Sequence, residues 1–228
     1  MLEIIGKPWG WEFTLLQTGS VLASYLHIKK GFSTSLHCHP KKRTGYVVLE
    51  GDVEVEFLSD VRIFSSGDRV NFRPGLFHKT RATNQDCIVL ELESPPNKED
   101  LLRLEDSSGR TESMYEKNDA MISGELLQTY KSLLSKLDGN AQNDLFARIG
   151  KLAISRVKTN LNTLLNSESQ DTIICLLDGV IFANEKYLSQ EPGVIVNAGD
   201  VTSIGVLQRM RNILSLDGEF DFLMIKKL

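Results

Sequence analysis

Apolar and polar residues alternate with a period of two along much of the chain. The clearest run is Val53-Glu54-Val55-Glu56-Phe57, where the valines share one face and the glutamates face water. Strands are expected at Val21–Lys29, at Thr44–Phe57 with a turn at Gly51-Asp52, and at Val61–Phe64, Arg69–Phe72, His78–Ala82 and Cys87–Glu93. Many short strands between turn residues predict a sandwich or barrel. The opening Gly6 to Glu12, broken up by glycine and proline, reads as a turn or arm. Pro95-Pro96 stops the sheet, and Asn97 is placed to cap a short helix over Lys98–Glu105.

Beyond position 110 the period changes. Residues 111–120 are polar and read as a linker. Ser123 can cap a helix whose apolar residues Leu126, Leu127, Tyr130, Leu133, Leu134 and Leu137 recur at helical spacing up to Gly139. A second short helix is expected around Asn143 to Ile149. From Lys151 the strand pattern starts again. Leu152-Ala153-Ile154-Ser155-Arg156-Val157-Lys158 can be laid on Leu22-Ala23-Ser24-Tyr25-Leu26-His27-Ile28, and Ile174 to Gly179 on Tyr46 to Gly51. Asn197-Ala198-Gly199-Asp200 echoes Ser65-Ser66-Gly67-Asp68, so an internal repeat is expected.

Composition narrows the class. The 228 residues are 41% hydrophobic and 25% charged, ordinary for a soluble globular chain. A net charge of -4 gives no reason to expect nucleic acid. Cys38, Cys87 and Cys175 are far apart and odd in number, so no disulfide framework is indicated. No stretch reaches the roughly 18 apolar residues of a membrane helix, and the start lacks a signal-peptide pattern. A cytoplasmic protein with no membrane partner is expected.

Three of the four histidines fall in two short patterns, Gly31 to Gly51 and Gly67 to His78. His37 and His39 are two residues apart, so an extended strand aims both at one face. Neutral imidazoles converging on a point are good ligands for divalent transition metals, although they can also serve only as hydrogen-bonding groups inside a barrel. Cys38 should point away from that face, and His27 reads as an ordinary strand residue.

The two stretches resemble the two motifs of the cupin superfamily. The first, G-x5-H-x-H-x(3,4)-E-x6-G, is matched at Gly31, His37, His39 and Gly51, with Thr44 where the glutamate belongs. The second, G-x5-P-x-G-x2-H-x3-N, is matched at Gly67, Gly75 and His78, with Arg73 at the proline and Ala82 at the asparagine. Pro8-Trp9-Gly10 and Leu101-Leu102-Arg103-Leu104-Glu105-Asp106 further resemble cupins of the type II mannose-6-phosphate isomerase branch. The likeness covers roughly residues 6 to 110.

This resemblance implies an all-β fold of two cupin-type antiparallel, jelly-roll-like barrels joined by a short helical segment. Residues 1–110 would form a metal-binding barrel, 111–150 a helical linker, and 151–228 a degenerate barrel. The positions matching His37 and His39 there fall near Leu165 and Ser167, so the second barrel would lack metal ligands. In the first, His37, His39 and His78 would hold one divalent ion, zinc, iron or manganese. Thr44 could hydrogen-bond a metal-bound water. Arg73, Arg81, Lys41, Thr44 and Tyr46 would meet an anionic small-molecule substrate, and Lys42, Arg43 and Lys79 also flank the histidines. Trp9 and Trp11 would plug one barrel end or touch ligand.

Three functions follow from the resemblance. One is an isomerase or epimerase of a phosphorylated sugar or nucleotide-sugar precursor, for which no general base is evident. The second is a three-histidine iron dioxygenase, and the third a non-catalytic sugar-binding or regulatory module. A homodimer is compatible with each.

Overall fold

The computed structural model describes residues 4–107, 109, 145–184 and 193–228. The linker expected over 111–120 and the helix expected over 123–139 lie outside the described residues. Two antiparallel sheets face each other in the N-terminal unit. One holds six strands: β1 (Ile4–Lys7), β2 (Gly10–Gln17), β3 (Leu22–Ile28), β10 (Cys87–Ser94), β5 (Arg43–Glu50) and β8 (Arg69–Phe72), in that spatial order. The other holds β11 (Leu102–Glu105), β4 (Leu36–Cys38), β9 (His78–Ala82), β6 (Asp52–Phe57) and β7 (Val61–Ser65). The sheets stay separate and do not join into one closed barrel.

The period of two decides which side chains go where. Tyr46, Val48 and Val89 point between the two sheets and pack with Trp9, Val53, Val55 and Phe72. The intervening Val47, Leu49, Leu90 and Leu92 point the other way and are also buried. Strands β5 and β10 are therefore buried on both faces, which requires a second layer behind them.

That layer is the C-terminal unit. Its main sheet runs β12 (Leu145–Ile149), β13 (Leu152–Asn160), β18 (Glu219–Lys227), β14 (Ile173–Asp178) and β17 (Val201–Ser203). This reproduces the spatial order β2, β3, β10, β5, β8. Leu152, Ile154, Cys175, Leu177, Leu223 and Ile225 pack directly on the outer face of the six-stranded sheet. The sequence echoes therefore mark one sheet with the same strand order. Among the described residues that sheet does not close into a second barrel. Opposite that sheet stand a hairpin, β15 (Val180–Phe182) with β16 (Val194–Asn197), and two short helices, α1 (Leu161–Ser167) and α2 (Ile204–Met210). Leu161, Leu164, Leu165, Ile204 and Leu207 fill this side of the core. Leu165 and Ser167 thus lie on a helix, where the first unit has its histidine strand.

Two expected helices are strands. Leu145–Ile149 forms a hairpin with β13, in which Ile149 pairs with Leu152 across Gly150, a glycine with φ of 54°. Over Lys98–Glu105 the cap forms but no helix follows. The Asn97 side chain accepts from the Glu99 amide at 3.0 Å, making a turn, and Leu102–Glu105 instead pairs with β4. Pairing with the free edge of β4 gives the segment backbone partners where an isolated helix of eight residues would be marginal. The opening segment is a hairpin rather than an arm, with Gly6 opposite Trp11.

The two units meet most closely at glycines. A Cβ on Gly45 would lie 2.4 Å from the Gly199 carbonyl oxygen and 3.0 Å from a Val201 methyl. Beside it, the Asn71 side chain donates to the Val201 carbonyl and accepts from the Val201 amide, both at 2.9 Å, much as a neighbouring strand would. Gly45→Ala is expected to lower the stability of the protein by about 1–3 kcal/mol through overpacking, measured by urea unfolding. Gly19→Ala, whose added carbon meets nothing within 4 Å, should leave the midpoint unchanged.

Candidate functional site

The space between the two sheets of the N-terminal unit holds the three histidines of the motifs. His37 on β4 is directly opposite His78 on β9, and His39 follows β4. Ring centroids are 4.6 Å apart for His37 and His78, 5.0 Å for His37 and His39, and 5.7 Å for His39 and His78. Phe72 stacks on His78 at 3.9 Å, nearly parallel, and limits the ring's rotation.

The hydrogen bonds orient the rings. His37 Nδ1 lies 2.8 Å from the Ser35 carbonyl, His39 Nδ1 2.7 Å from that of Asp100, and His78 Nδ1 3.0 Å from that of Leu76. A carbonyl only accepts, so each Nδ1 carries the hydrogen and each Nε2 keeps its lone pair. The Nε2 atoms of His39 and His78 are buried without a hydrogen-bond partner. Burial pushes the His37 pKa down to about 3 and that of His39 to about 2, and holds His78 well below its usual range. Neighbouring imidazoles and Lys42 add to the shifts. Three neutral rings with lone pairs turned inward make a donor set that could hold a divalent cation, since one nitrogen from each lies within 4.8 Å of the others.

Carboxylates stand beside this set. His39 also groups with Glu91 and Glu93, again with ligand atoms within 4.8 Å. Both glutamates are on β10, where Glu93 pairs with Thr44 and Glu91 with Tyr46. The motif glutamate missing at Thr44 is thus matched by a carboxylate one strand over. The pairing of β10 with β5 places it there, a long-range relation that local motif spacing does not carry. Glu93 is held ionised despite burial by Lys98 and Lys42: Lys98 Nζ is 3.0 Å from one oxygen, and Lys42 Nζ contacts the other. Burial, with help from the Glu93 charge, pushes Glu91 up to about 7. Burial, then Glu91, keeps Tyr46 protonated, and its hydroxyl hydrogen-bonds Glu91.

The cavity is lined by His37, His39, Lys42, Tyr46, Glu91 and Glu93 together with Lys7, Trp9, Glu12, Thr34, Ser35, Lys98, Leu101 and Arg103, whereas His78, beside His37, is not part of the lining. Of the residues expected to meet substrate, Tyr46 lines it. Thr44 is buried against Glu93 but is not part of the lining. Lys41, Arg73 and Arg81 are exposed on the outside. Arg81 is three residues from His78 on β9, so the pleat turns it to the opposite face. Arg73 follows the end of β8, past the buried Phe72. The cavity's cations come instead from Lys7, Lys42, Lys98 and Arg103. Lys42 has only 1% of its surface exposed, although its sequence context of three consecutive basic residues reads as a solvated rim. Trp9 lines the cavity, whereas Trp11 lies under the Lys29 ammonium at 5.4 Å. Cys38 is buried and is not part of the lining, and His27 contacts Asp86 at 3.2 Å.

No family model matches the sequence, and neither does any curated protein. Solved structures do show similarity to part of the chain. KdgF from Halomonas sp. is 24% identical, over 40% of this chain and 84% of that one, with a TM-score of 0.38. An RmlC-like cupin from Shewanella frigidimarina is 20% identical, over 43% of this chain and 87% of that one, at a TM-score of 0.39. The capsular polysaccharide assembling protein CapF from Staphylococcus aureus is 19% identical over 46% of this chain and 35% of its own, at 0.41. No helix among the described residues is long and apolar enough to cross a membrane.

Replacing any one of the three imidazoles should abolish stoichiometric metal. His39→Ala and His78→Ala are each expected to be isolated with less than one tenth of the wild-type content, measured by elemental analysis. His27→Ala should match the wild type. Unchanged metal in His39→Ala would show that the three rings are not the ligand set.

Proposed function

We propose that the N-terminal unit is a metal-dependent cupin site that carries out isomerisation or epimerisation of a phosphorylated sugar or a nucleotide-sugar precursor. One observation carries the reading: a cluster of three imidazoles, two of which line the cavity, stands beside a poised carboxyl and a set of lysine and arginine side chains. A divalent ion held by His37, His39 and His78 would draw electron density from a substrate carbonyl or hydroxyl oxygen. The chain's own groups supply the rest. Glu91, pushed up to about 7, is matched to accept and return a proton at a carbon beside a carbonyl. Tyr46 keeps its proton and offers a hydrogen bond beside Glu91.

The charge balance of the lining favours an anionic substrate. Four cations, Lys7, Lys42, Lys98 and Arg103, face three carboxyls, Glu12, Glu91 and Glu93, and Glu91 is half neutral near pH 7. Arg103 has a planar fork suited to phosphate oxygens. On this reading sugar phosphates bind at least about tenfold more tightly than the matching free sugars, by calorimetric titration. Arg103→Ala should remove most of that preference, and Arg73→Ala and Arg81→Ala should retain it. Equal affinity for phosphorylated and free sugars would count against the assignment.

The acid–base part has a separate test. Solvent deuterium should enter the substrate carbon in the wild type, and Glu91→Gln should abolish this exchange while keeping its metal. Exchange at the wild-type rate in that variant would remove Glu91 from the reaction. A second reading, the three-histidine iron dioxygenase, would use the three imidazoles alone, the grouping in which no carboxylate takes part. Iron in the isolated protein with oxygen uptake would select it, and zinc or manganese with deuterium exchange would select the isomerase.

A further inference from the structure

The segment after β10 does more than end the sheet, because it is laced to the histidine loop by polar contacts. The Asp100 carbonyl takes the His39 Nδ1 hydrogen at 2.7 Å. The carboxylate of the same residue accepts the backbone amides of Lys41 and Lys42 at 2.9 and 2.8 Å. Pro40, between His39 and these amides, has no amide hydrogen of its own to anchor the turn. Lys42 closes the lacing in the other direction, with Nζ donating to the Asn97 carbonyl at 3.0 Å. Asp100 is itself only 8% exposed, and its amide lies 3.3 Å from the Asn97 carbonyl.

We propose that Asp100 is the positioning residue of the site: by gripping the chain on both sides of Pro40, it fixes which ring nitrogen of His39 faces the cavity and where. The inference rests on the three-imidazole reading of the site and deepens it. Asp100 touches neither the cavity centre nor a reacting atom and acts through His39. Its carboxylate oxygen holds two amides, which sets the position of the loop relative to the segment after β10. Its carbonyl, carried on the same residue, is then fixed relative to the imidazole. Loss of the carboxylate frees the loop, and the Nδ1 contact loses its geometry even though a carbonyl is still present. A neighbour that orients a metal-ligating histidine typically accounts for about 10–100-fold in metal affinity.

The test uses Asp100→Ala, Asp100→Asn and, as a control for general destabilisation, Leu165→Ala in the C-terminal unit. Cobalt titration followed by visible absorption reads affinity and ligand geometry. Nitrogen-15 NMR of the imidazoles, with His39 assigned through His39→Gln, reads the tautomer without metal. Asp100→Ala is expected to bind cobalt about 10–100-fold more weakly with an altered spectrum, and its His39 should no longer be purely Nδ1-protonated. Asp100→Asn, whose side-chain oxygen can still accept both amides, should recover most of the affinity and the tautomer. Leu165→Ala should change neither. If Asp100→Ala keeps the wild-type tautomer, or if Leu165→Ala produces the same changes, the positioning role is wrong. If the wild type takes up no cobalt but the tautomer is lost in Asp100→Ala, the metal reading falls and the positioning role stands.

Discussion

The site depends on a single constraint: three imidazoles must each give a hydrogen to the main chain. The acceptors are the carbonyls of Ser35, Leu76 and Asp100, from three different segments. A free imidazole interconverts between tautomers and turns about its side-chain bonds. Here the tautomer and ring direction are decided by a backbone that the sheets hold rigid. The resulting inward nitrogens of His39 and His78, left buried and unpartnered, are costly unless something binds them. Folding therefore supplies the energy that keeps the rings ready, and a ligand recovers part of it.

Much of this was legible in the chain. The alternation along Val53 to Phe57 and the Gly51 turn become β6 and the β5–β6 hairpin, with their bounds nearly as expected. The convergence of His37, His39 and His78 came from a two-residue spacing together with a motif resemblance. What stayed hidden depends on pairing between distant strands. Nothing local to Glu91 or Glu93 marks them as cavity residues, because both alternate with leucines as any surface glutamates might. Their placement follows only once β10 is known to pair with β5 in a register that sets Glu93 against Thr44. Arg81 illustrates the parity of the pleat: three residues from His78 on β9, it stands exposed on the opposite face.

The helix expectations show how tertiary pairing overrides short-range signals. Asn97 makes the cap its sequence predicts, yet Leu102–Glu105 pairs with the open edge of β4. In the C-terminal unit the balance tips the other way. Asn160 caps α1 by accepting from the Thr163 amide at 2.7 Å, and the chain there leaves the sheet altogether. One repeated sheet thus serves two ends. In the first unit it faces a histidine-bearing partner sheet across a polar cavity, and in the second it faces helices across a dry core.

The back-to-back sheets also have a consequence for how the protein is made. Strand β18, at Glu219–Lys227, sits in the middle of its sheet, hydrogen-bonded to β13 on one side and β14 on the other. A chain emerging from the ribosome completes the N-terminal sheets long before that strand exists. Through that interval the outer face built from Phe13, Leu15, Val47, Leu49, Leu90 and Leu92 has no cover of its own. The histidine cluster is therefore assembled on a nascent chain whose reverse side remains sticky until β18 arrives, an interval in which a holding chaperone would have a surface to grip.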